Sequence, residues 1–114
     1  MMIIHGLKNC DTTRRARRWL TEHDCEHRFV DLREDGVDVN TIRDWIAEAG
    51  WERLLNRRGT TWRQLSEEHR SDLTEDKALA LLTQYPTLIK RPVLKHCRGL
   101  LVGFDAAVYA AALE

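Results

Sequence analysis

Hydrophobic and polar residues alternate in two patterns along the first third of the chain. Apolar runs at residues 1 to 5 and 27 to 32 predict two short strands. Between residues 12 and 23, bulky or apolar side chains recur every three or four positions, which predicts an amphipathic helix. Because a helix connects the two strands, we expect the strands to be parallel, with the helix packed on one face of the sheet.

The middle of the chain predicts helices and short helical turns. Asp38 is a favourable N-cap for a helix, and residues 51 to 65 predict a loop-rich segment with short helical turns. Ser66 and Thr74 are each followed by acidic residues and predict two further helix starts. Pro86 ends the second of these helices.

The end of the chain predicts a hairpin and a last helix. Residues 91 to 96 and 100 to 104 predict two strands that turn near Gly99. Asp105 then caps an alanine-rich helix. The order of elements is therefore βαβ, a helical insertion, and ββα.

This order predicts an α/β, thioredoxin-like fold around a mixed four-stranded sheet. We expect a single domain over residues 1 to 114, with the helical insertion at about residues 38 to 86. An α+β domain of another topology is the alternative.

The charges are balanced in total and segregated along the sequence. Lys and Arg number 18 and Asp and Glu number 18, so the formal net charge is zero. Residues 1 to 20, 51 to 63 and 90 to 98 nevertheless carry +4, +3 and +4. Arginine accounts for 14 of the 18 cations, and its planar fork suits carboxylates and oxyanions. We expect these segments to converge on one anion-binding pocket.

Cys10 is the candidate nucleophile. It lies between the first predicted strand and the first predicted helix, where the positive end of the helix favours a thiolate. Arg14 follows one helical turn later, and Lys8 precedes Cys10 by two residues. We therefore predict a reactive thiol that binds anionic substrates, in preference to a small buried hydrophobic residue.

The other cysteines, Cys25 and Cys97, complete an odd and widely spaced set without a CxxC pair. The run at residues 23 to 27 alternates His, Cys and His, which is compatible with a metal site, but an exposed polar turn is the favoured interpretation. We expect no bound metal. The N-terminus lacks the features of a signal peptide and no apolar run spans a bilayer, so we expect a cytoplasmic protein without a membrane partner.

Arg91 and Pro92 open the third predicted strand. A proline at this position donates no hydrogen bond to the sheet, and in a tight turn it is a candidate for a cis peptide bond. In thioredoxin-like folds a cis-proline loop faces the nucleophilic cysteine. We therefore expect Arg91 and Pro92 to bind the substrate of Cys10.

Five segments resemble the arsenate reductase (ArsC)/Spx family, and most closely its short-chain YffB-like branch. They are GLKNCDT at residues 6 to 12, ARRWL at 16 to 20, LLNRRGTTW at 54 to 62, IKRPVL at 89 to 94 and LVGF at 101 to 104. The resemblance extends over nearly the whole chain, and the order of the segments makes it specific.

The resemblance implies a single-cysteine thiol reductase site that uses glutathione as cosubstrate and no metal. Carried over to this sequence, Cys10 is the nucleophile, and Arg14 and Arg91 hold the substrate. A further arginine of the family's site comes from the insertion. Arg58 aligns with it, and the adjacent Arg57 stays an alternative.

Two departures from the family pattern bear on function. The similar arsenate reductases have a histidine four residues before the cysteine, where this chain has Gly6, which weakens arsenate as the substrate. Spx-type regulators often carry CxxC, whereas the third position after Cys10 is Thr13. An internal disulfide switch is therefore not expected.

We expect a glutathione-dependent thiol oxidoreductase in which the Cys10 thiolate attacks a small thiol, disulfide or oxyanion substrate. The alternative is a non-catalytic, Spx-like regulator that binds RNA polymerase. Nucleic-acid binding is a third interpretation, prompted by the four arginines between residues 14 and 18. The neutral total charge and the lack of a base-reading motif argue against it.

Overall fold

The two ends of the chain build a mixed four-stranded sheet. The computed structural model describes all residues from Met1 to Glu114. The strands are β1 (Met2–Gly6), β2 (His27–Asp31), β3 (Val93–His96) and β4 (Gly99–Val102). Their order in the sheet is β2-β1-β3-β4. Strand β1 is parallel to β2 and antiparallel to β3, which is antiparallel to β4. The predicted α/β, thioredoxin-like arrangement is confirmed.

Seven α-helices complete the secondary structure. They are α1 (Asp11–Glu22), α2 (Val39–Ala49), α3 (Trp51–Leu54), α4 (Thr60–Gln64), α5 (Glu67–Arg70), α6 (Glu75–Gln84) and α7 (Ala106–Leu113). A 3₁₀ turn, Pro86–Leu88, follows α6. None of these helices is long and apolar enough to cross a membrane.

The residues divide into two compact units. The sheet unit contains Met1–Asp35 and Arg91–Glu114, and the helical unit contains Gly36–Lys90. The predicted insertion, residues 38 to 86, falls within the helical unit. That the whole chain behaves as a single domain stays a prediction.

The core of the sheet unit joins the central strands to α1 and α7. Ile4 and Leu94 face each other in the β1–β3 register and are fully buried. Ala16 and Leu20 of α1 and Tyr109 of α7 complete the cluster. Burying this apolar surface fixes α1 against the sheet, and its N-terminus therefore lies at the end of β1.

Backbone contacts join the middle of the helical unit to its end. Leu55 and Ile89 form an isolated antiparallel bridge, and the Lys90 N–H donates to the Leu54 carbonyl at 2.7 Å. The Asn56 N–H donates to the Leu88 carbonyl at 2.8 Å. These bonds tie the chain that enters α4 to the chain that leaves the unit.

Side-chain caps begin four helices at predicted positions. The side chains of Asp38, Ser66, Thr74 and Asp105 accept backbone N–H groups of the following helix. Each cap satisfies donors that a helix N-terminus leaves without an intrahelical partner. Such local chemistry is readable from sequence, and these four predictions are confirmed.

Candidate functional site

Cys10 lies at the end of the loop that connects β1 to α1. After Gly6 the chain makes a turn in which the Cys10 N–H donates to the Leu7 carbonyl at 3.1 Å. Cys10 is the N-cap residue of α1, and its carbonyl accepts the Arg14 N–H at 3.0 Å. The cysteine is partly exposed. A thiol at this position is accessible and lies at the positive end of a 12-residue helix.

The surroundings of Cys10 favour its thiolate. Burial raises the pKa of the thiol, but hydrogen bonding from the hydroxyl and backbone N–H of Thr13 and from the Arg91 guanidinium outweighs it. The positive charge of Arg91 acts in the same direction. The pKa of Cys10 therefore lies below its ordinary value, and the nucleophilic form is more abundant at neutral pH than for an ordinary cysteine.

Thr13 is a site residue that the sequence analysis did not single out for a role at the thiol. It is fully buried in the first turn of α1. Its Oγ1 lies 3.5 Å from the Leu7 nitrogen, which donates to it. Because this oxygen accepts from Leu7, its own proton is free to point towards the Cys10 sulfur. A buried threonine three residues after a helix-capping cysteine is the signal that would have indicated this role.

Arg91 and Pro92 approach the cysteine from β3. The peptide bond between them is cis. Pro92 is buried, and its carbonyl accepts the Gly103 N–H at 2.8 Å. Because β3 pairs with β1, with Val93 opposite His5, the residues just before Val93 lie alongside the end of β1. Arg91 thereby lies close enough to hydrogen-bond the Cys10 thiol. That Arg91 and Pro92 bind the substrate stays a prediction.

An open cleft of about 500 Å³ adjoins the thiol. Its lining comes from the loop before α1, from the loop after β2 and from the start of β3. The lining residues are Leu7, Lys8, Asn9, Cys10, Asp31, Arg33, Glu34 and Arg91. The structure thus brings Lys8 and Arg91 to one cleft with Cys10.

Asp31 organises two of these loops. Its Oδ2 accepts the Lys8 N–H at 3.0 Å, and its Oδ1 accepts the N–H groups of Arg33 and Glu34 at 2.8 and 2.9 Å. Burial raises the pKa of the Asp31 carboxyl, but the backbone hydrogen bonds outweigh it and hold the pKa below its ordinary value. One carboxylate thus fixes the backbone on both sides of the cleft.

Lys8 is already paired across the cleft. Its Nζ lies 2.7 Å from Glu34 Oε2, and each side chain is 58% exposed. The hydrogen bond and negative charge of Glu34 raise the pKa of Lys8, so its ammonium is charged at neutral pH. Asp31 and Glu34 were not predicted as site residues, because neither follows a local motif.

The remaining candidate arginines each have contacts of their own. The Arg14 guanidinium turns back to the first helical turn, but it pairs there with Asp11 and does not line the cleft. Arg58 belongs to the helical unit, where its N–H donates to Asn56 Oδ1 at 3.0 Å. The adjacent Arg57 packs its guanidinium against the rings of Trp51 and Trp62, at 5.9 and 5.8 Å from their centroids. Roles for Arg14 and Arg58 at the thiol stay predictions.

The other thiols lie apart from this arrangement. Cys25 follows α1 and packs at the edge of the sheet-unit core, and Cys97 is exposed in the β3–β4 turn. No group of three or more His, Cys, Asp or Glu side chains is arranged to hold a metal ion.

A mixed sheet of this topology, with a single cysteine at the N-terminus of its first helix and an Arg–Pro pair before its third strand, is that of a thioredoxin-like protein. The chain belongs to the ArsC family, whose family model matches residues 5–112.

Solved structures and a curated relative agree with this assignment. The chain is similar to a YffB protein, with 46% identity, full coverage of both chains and a TM-score of 0.96. It is also similar to an arsenate reductase (ArsC) related protein from Brucella melitensis, at 41% identity and a TM-score of 0.77, covering 99% of this chain and 94% of the other. The global transcriptional regulator Spx of Lactiplantibacillus plantarum is 25% identical over 92% of this chain and 80% of that protein.

Proposed function

We propose that the chain is a glutathione-dependent thiol oxidoreductase of the arsenate reductase-like kind. The observation that carries the proposal is the Cys10 thiol, whose ionised form is favoured by Thr13 and Arg91. This thiol also borders a cleft large enough for a peptide-sized ligand. A merely structural cysteine requires neither an adjacent guanidinium nor an open cleft.

The proposed reaction is reduction of a glutathionylated thiol in two exchange steps. The Cys10 thiolate attacks the glutathione sulfur of the mixed disulfide, forms a Cys10–glutathione disulfide and releases the substrate as a thiolate. The thiolate of a second glutathione attacks the glutathione sulfur of that disulfide. Glutathione disulfide leaves and the Cys10 thiolate is regenerated. In total, the sulfur of the second glutathione is oxidised from thiol to disulfide, and the substrate sulfur is reduced from disulfide to thiol.

The chain's own residues have defined roles in these steps. The lowered pKa of Cys10 makes it both an ionised nucleophile and a good leaving group in the second step. Arg91 balances the negative charge that builds up on the exchanging sulfurs. Pro92 fixes the chain that carries Arg91. With Cys25 and Cys97 in other elements, the resolving thiol is supplied by glutathione.

The charges that line the cleft fit glutathione as cosubstrate. The tripeptide has two carboxylates and one ammonium group. The cleft offers the cations Lys8, Arg33 and Arg91 and the carboxylates Asp31 and Glu34, so its charged side chains sum to +1 when Cys10 is bonded in a disulfide. Asp31 accepts three backbone N–H groups, and Glu34 pairs with Lys8. The lining can therefore bind a ligand with one net negative charge.

Arsenate is a weaker candidate substrate than a disulfide. The family's arsenate reductases carry a histidine at the position of Gly6. In this chain the space that a side chain at residue 6 would enter is taken by Thr13. The site is accordingly adapted to thiol exchange without a histidine next to the cysteine.

The proposal is tested with a glutathionylated peptide, glutathione as reductant and mass-spectrometric detection of the Cys10–glutathione disulfide. Wild type is expected to turn over, and Cys10→Ser is expected to abolish both turnover and the adduct. Cys97→Ser, which removes the exposed thiol of the β3–β4 turn, serves as the matched control and is expected to match wild type. Turnover that survives in Cys10→Ser would overturn the proposal.

A second candidate is a regulatory role like that of Spx. The similarity to the Lactiplantibacillus plantarum regulator over most of both chains favours it. Its expected partner is RNA polymerase. Titration of purified RNA polymerase separates the two functions, because a regulator is expected to bind equally well as wild type and as Cys10→Ser and to show no turnover.

A further inference from the structure

The cleft beside Cys10 contains a cation that is held by a carboxylate of the protein itself. Lys8 Nζ and Glu34 Oε2 are 2.7 Å apart, and both side chains are 58% exposed. Lys8 lies two residues before Cys10, so an extended chain places their Cα atoms at most about 7 Å apart. A ligand whose sulfur is at Cys10 therefore has Lys8 within the reach of a nearby carboxylate.

The buried carboxylate of Asp31 fixes the backbone positions of Lys8 and Glu34. Asp31 accepts the N–H of Lys8 through one oxygen and the N–H of Glu34 through the other. The two backbones are therefore held by a single buried carboxylate, while the two side chains extend from it into solvent. Because the backbones are fixed and the two side chains are exposed, the ion pair can open by side-chain rotation without any movement of the loops.

Opening the pair costs little, because an ion pair between two exposed side chains contributes little stability. A ligand that binds with its sulfur beside Cys10, whether or not it forms a disulfide, presents its carboxylate to Lys8 at a high local concentration and competes well with Glu34. The guanidinium of Arg91 already balances the thiolate. Lys8 is thus a cation in the cleft that can exchange its ion-pair partner, from the Glu34 carboxylate to a carboxylate of the ligand.

We propose that Glu34 is a specificity-determining residue that holds the place of a substrate carboxylate on Lys8 and is displaced when a carboxylate-bearing thiol ligand binds. This inference rests on the proposed function and adds the class of substrate: a sulfur compound with a carboxylate within a few ångströms of the sulfur. Ligands without such a carboxylate do not displace Glu34 and gain nothing from Lys8.

The test is a titration of the full chain with S-methylglutathione, which cannot exchange disulfides, followed by NMR shifts of the backbone amides of Lys8 and Glu34. Glu34→Gln is expected to bind the probe about threefold to fivefold more tightly than wild type, because the neutral amide releases Lys8. Lys8→Met is expected to weaken binding by a similar factor. In the double variant the effect of Glu34→Gln is expected to vanish.

Two controls separate this competition from a general effect of charge. Glu26→Gln removes an exposed carboxylate just before β2, at the strand end opposite Glu34, and changes the net charge equally. It is expected to bind the probe as wild type does. The dimethyl ester of S-methylglutathione lacks both carboxylates and is expected to show no difference between wild type and Glu34→Gln.

Several results would overturn the inference. They are weaker or unchanged binding in Glu34→Gln relative to Glu26→Gln, persistence of the gain in the Lys8→Met background, and absence of shifts at Lys8 and Glu34. The turnover assay with the glutathionylated peptide is read independently. If the four proteins (wild type, Glu34→Gln, Lys8→Met and the double variant) bind the probe as expected but wild type shows no turnover, the inference stands and the proposed function is overturned. If wild type turns over but the four proteins do not bind the probe as expected, the proposed function stands and the inference is overturned.

Discussion

A Cβ atom on Gly6 would lie 2.5 Å from Oγ1 of Thr13 and 2.6 Å from its Cγ2. The end of β1 and the first turn of α1 are therefore in close contact at these two residues. Because Thr13 is fully buried, it has little freedom to move away from a larger residue. This contact favours glycine at position 6, because any larger side chain would meet Thr13.

Gly6→Ala is expected to destabilise the protein by about 1–3 kcal/mol, the usual cost of forcing extra atoms into a packed core. The measurement is the free energy of unfolding in urea, compared between wild type and variant. Thr13→Ala removes the two nearest atoms that the new Cβ would meet and leaves only the Cβ of residue 13, at 3.1 Å. The double variant Gly6→Ala/Thr13→Ala is therefore expected to lose less stability than the sum of the two single variants. Strict additivity would contradict the close packing.

Thr13→Val is expected to raise the pKa of Cys10, because the isosteric side chain loses the hydroxyl that favours the thiolate. The rate of alkylation of Cys10 by iodoacetamide, followed by mass spectrometry from pH 5 to 10, gives this pKa. In wild type the midpoint is expected below the ordinary cysteine value, and in Thr13→Val the rate rises only at higher pH. Thr21→Val, on the exposed side of the same helix, should leave the profile unchanged.

Arg91→Ala is expected to lower the turnover of a glutathionylated peptide by roughly tenfold to a hundredfold, as befits the loss of a hydrogen bond to a charged group. It should also raise the pKa of Cys10, because both the hydrogen bond and the positive charge of Arg91 lower it. Arg98→Ala provides the control, since Arg98 follows the same strand and its guanidinium donates to the Ala112 carbonyl. Equal losses in the two variants would argue against a specific role for Arg91.

The parts of the structure that sequence could predict are those fixed by local chemistry. Asp38 and Asp105 cap their helices because a short side chain with an acceptor oxygen, placed just before an amphipathic helix, accepts the unpaired N–H groups of the first turn. Cys10 was found in the same way, from its place between a strand and a helix. Each of these signals is contained in a few neighbouring residues.

The parts that sequence could not predict depend on contacts between distant segments. Asp31 follows an ordinary strand pattern, and only the fold brings its carboxylate to Lys8, which is 23 residues away. Arg14 has the helical spacing to approach Cys10, and the structure shows its guanidinium paired with the carboxylate of Asp11, a partner that spacing alone did not indicate. Spacing shows which partners a side chain can reach, and competition between partners decides which one it binds.

Asp31→Asn is expected to lower the free energy of unfolding by about 1.5–3 kcal/mol at pH 7, because a charged acceptor of three backbone N–H groups is lost. The folded-state pKa of Asp31 is depressed, so its contribution is fully present above its unfolded pKa, about 4, and is lost as the pH falls through the folded value. The difference in free energy of unfolding between wild type and Asp31→Asn should therefore become smaller below pH 4.

Urea unfolding at pH 7 and pH 3 measures this gap. Asp38→Asn serves as the control, because asparagine caps a helix about as well as aspartate. It is expected to change stability little at either pH. A gap that stays constant with pH would show that the charge of Asp31 is not what stabilises the loops.

Substitutions of Arg57 and Arg58 are expected to affect different properties, stability for Arg57 and substrate binding for Arg58. Arg57 packs against Trp51 and Trp62, so Arg57→Ala should lower stability by about 0.5–2 kcal/mol through lost cation–π contacts and should alter the tryptophan fluorescence. The hydrogen bonds of Arg58 come from its backbone, because its N–H donates to Asn56 and its carbonyl accepts from Arg63, so Arg58→Ala should leave stability nearly unchanged. If Arg58 is the insertion's substrate-binding arginine, Arg58→Ala raises the KM for the glutathionylated peptide, and Arg57→Ala does not at a temperature where both variants are folded. The reverse pattern of KM values would assign that role to Arg57.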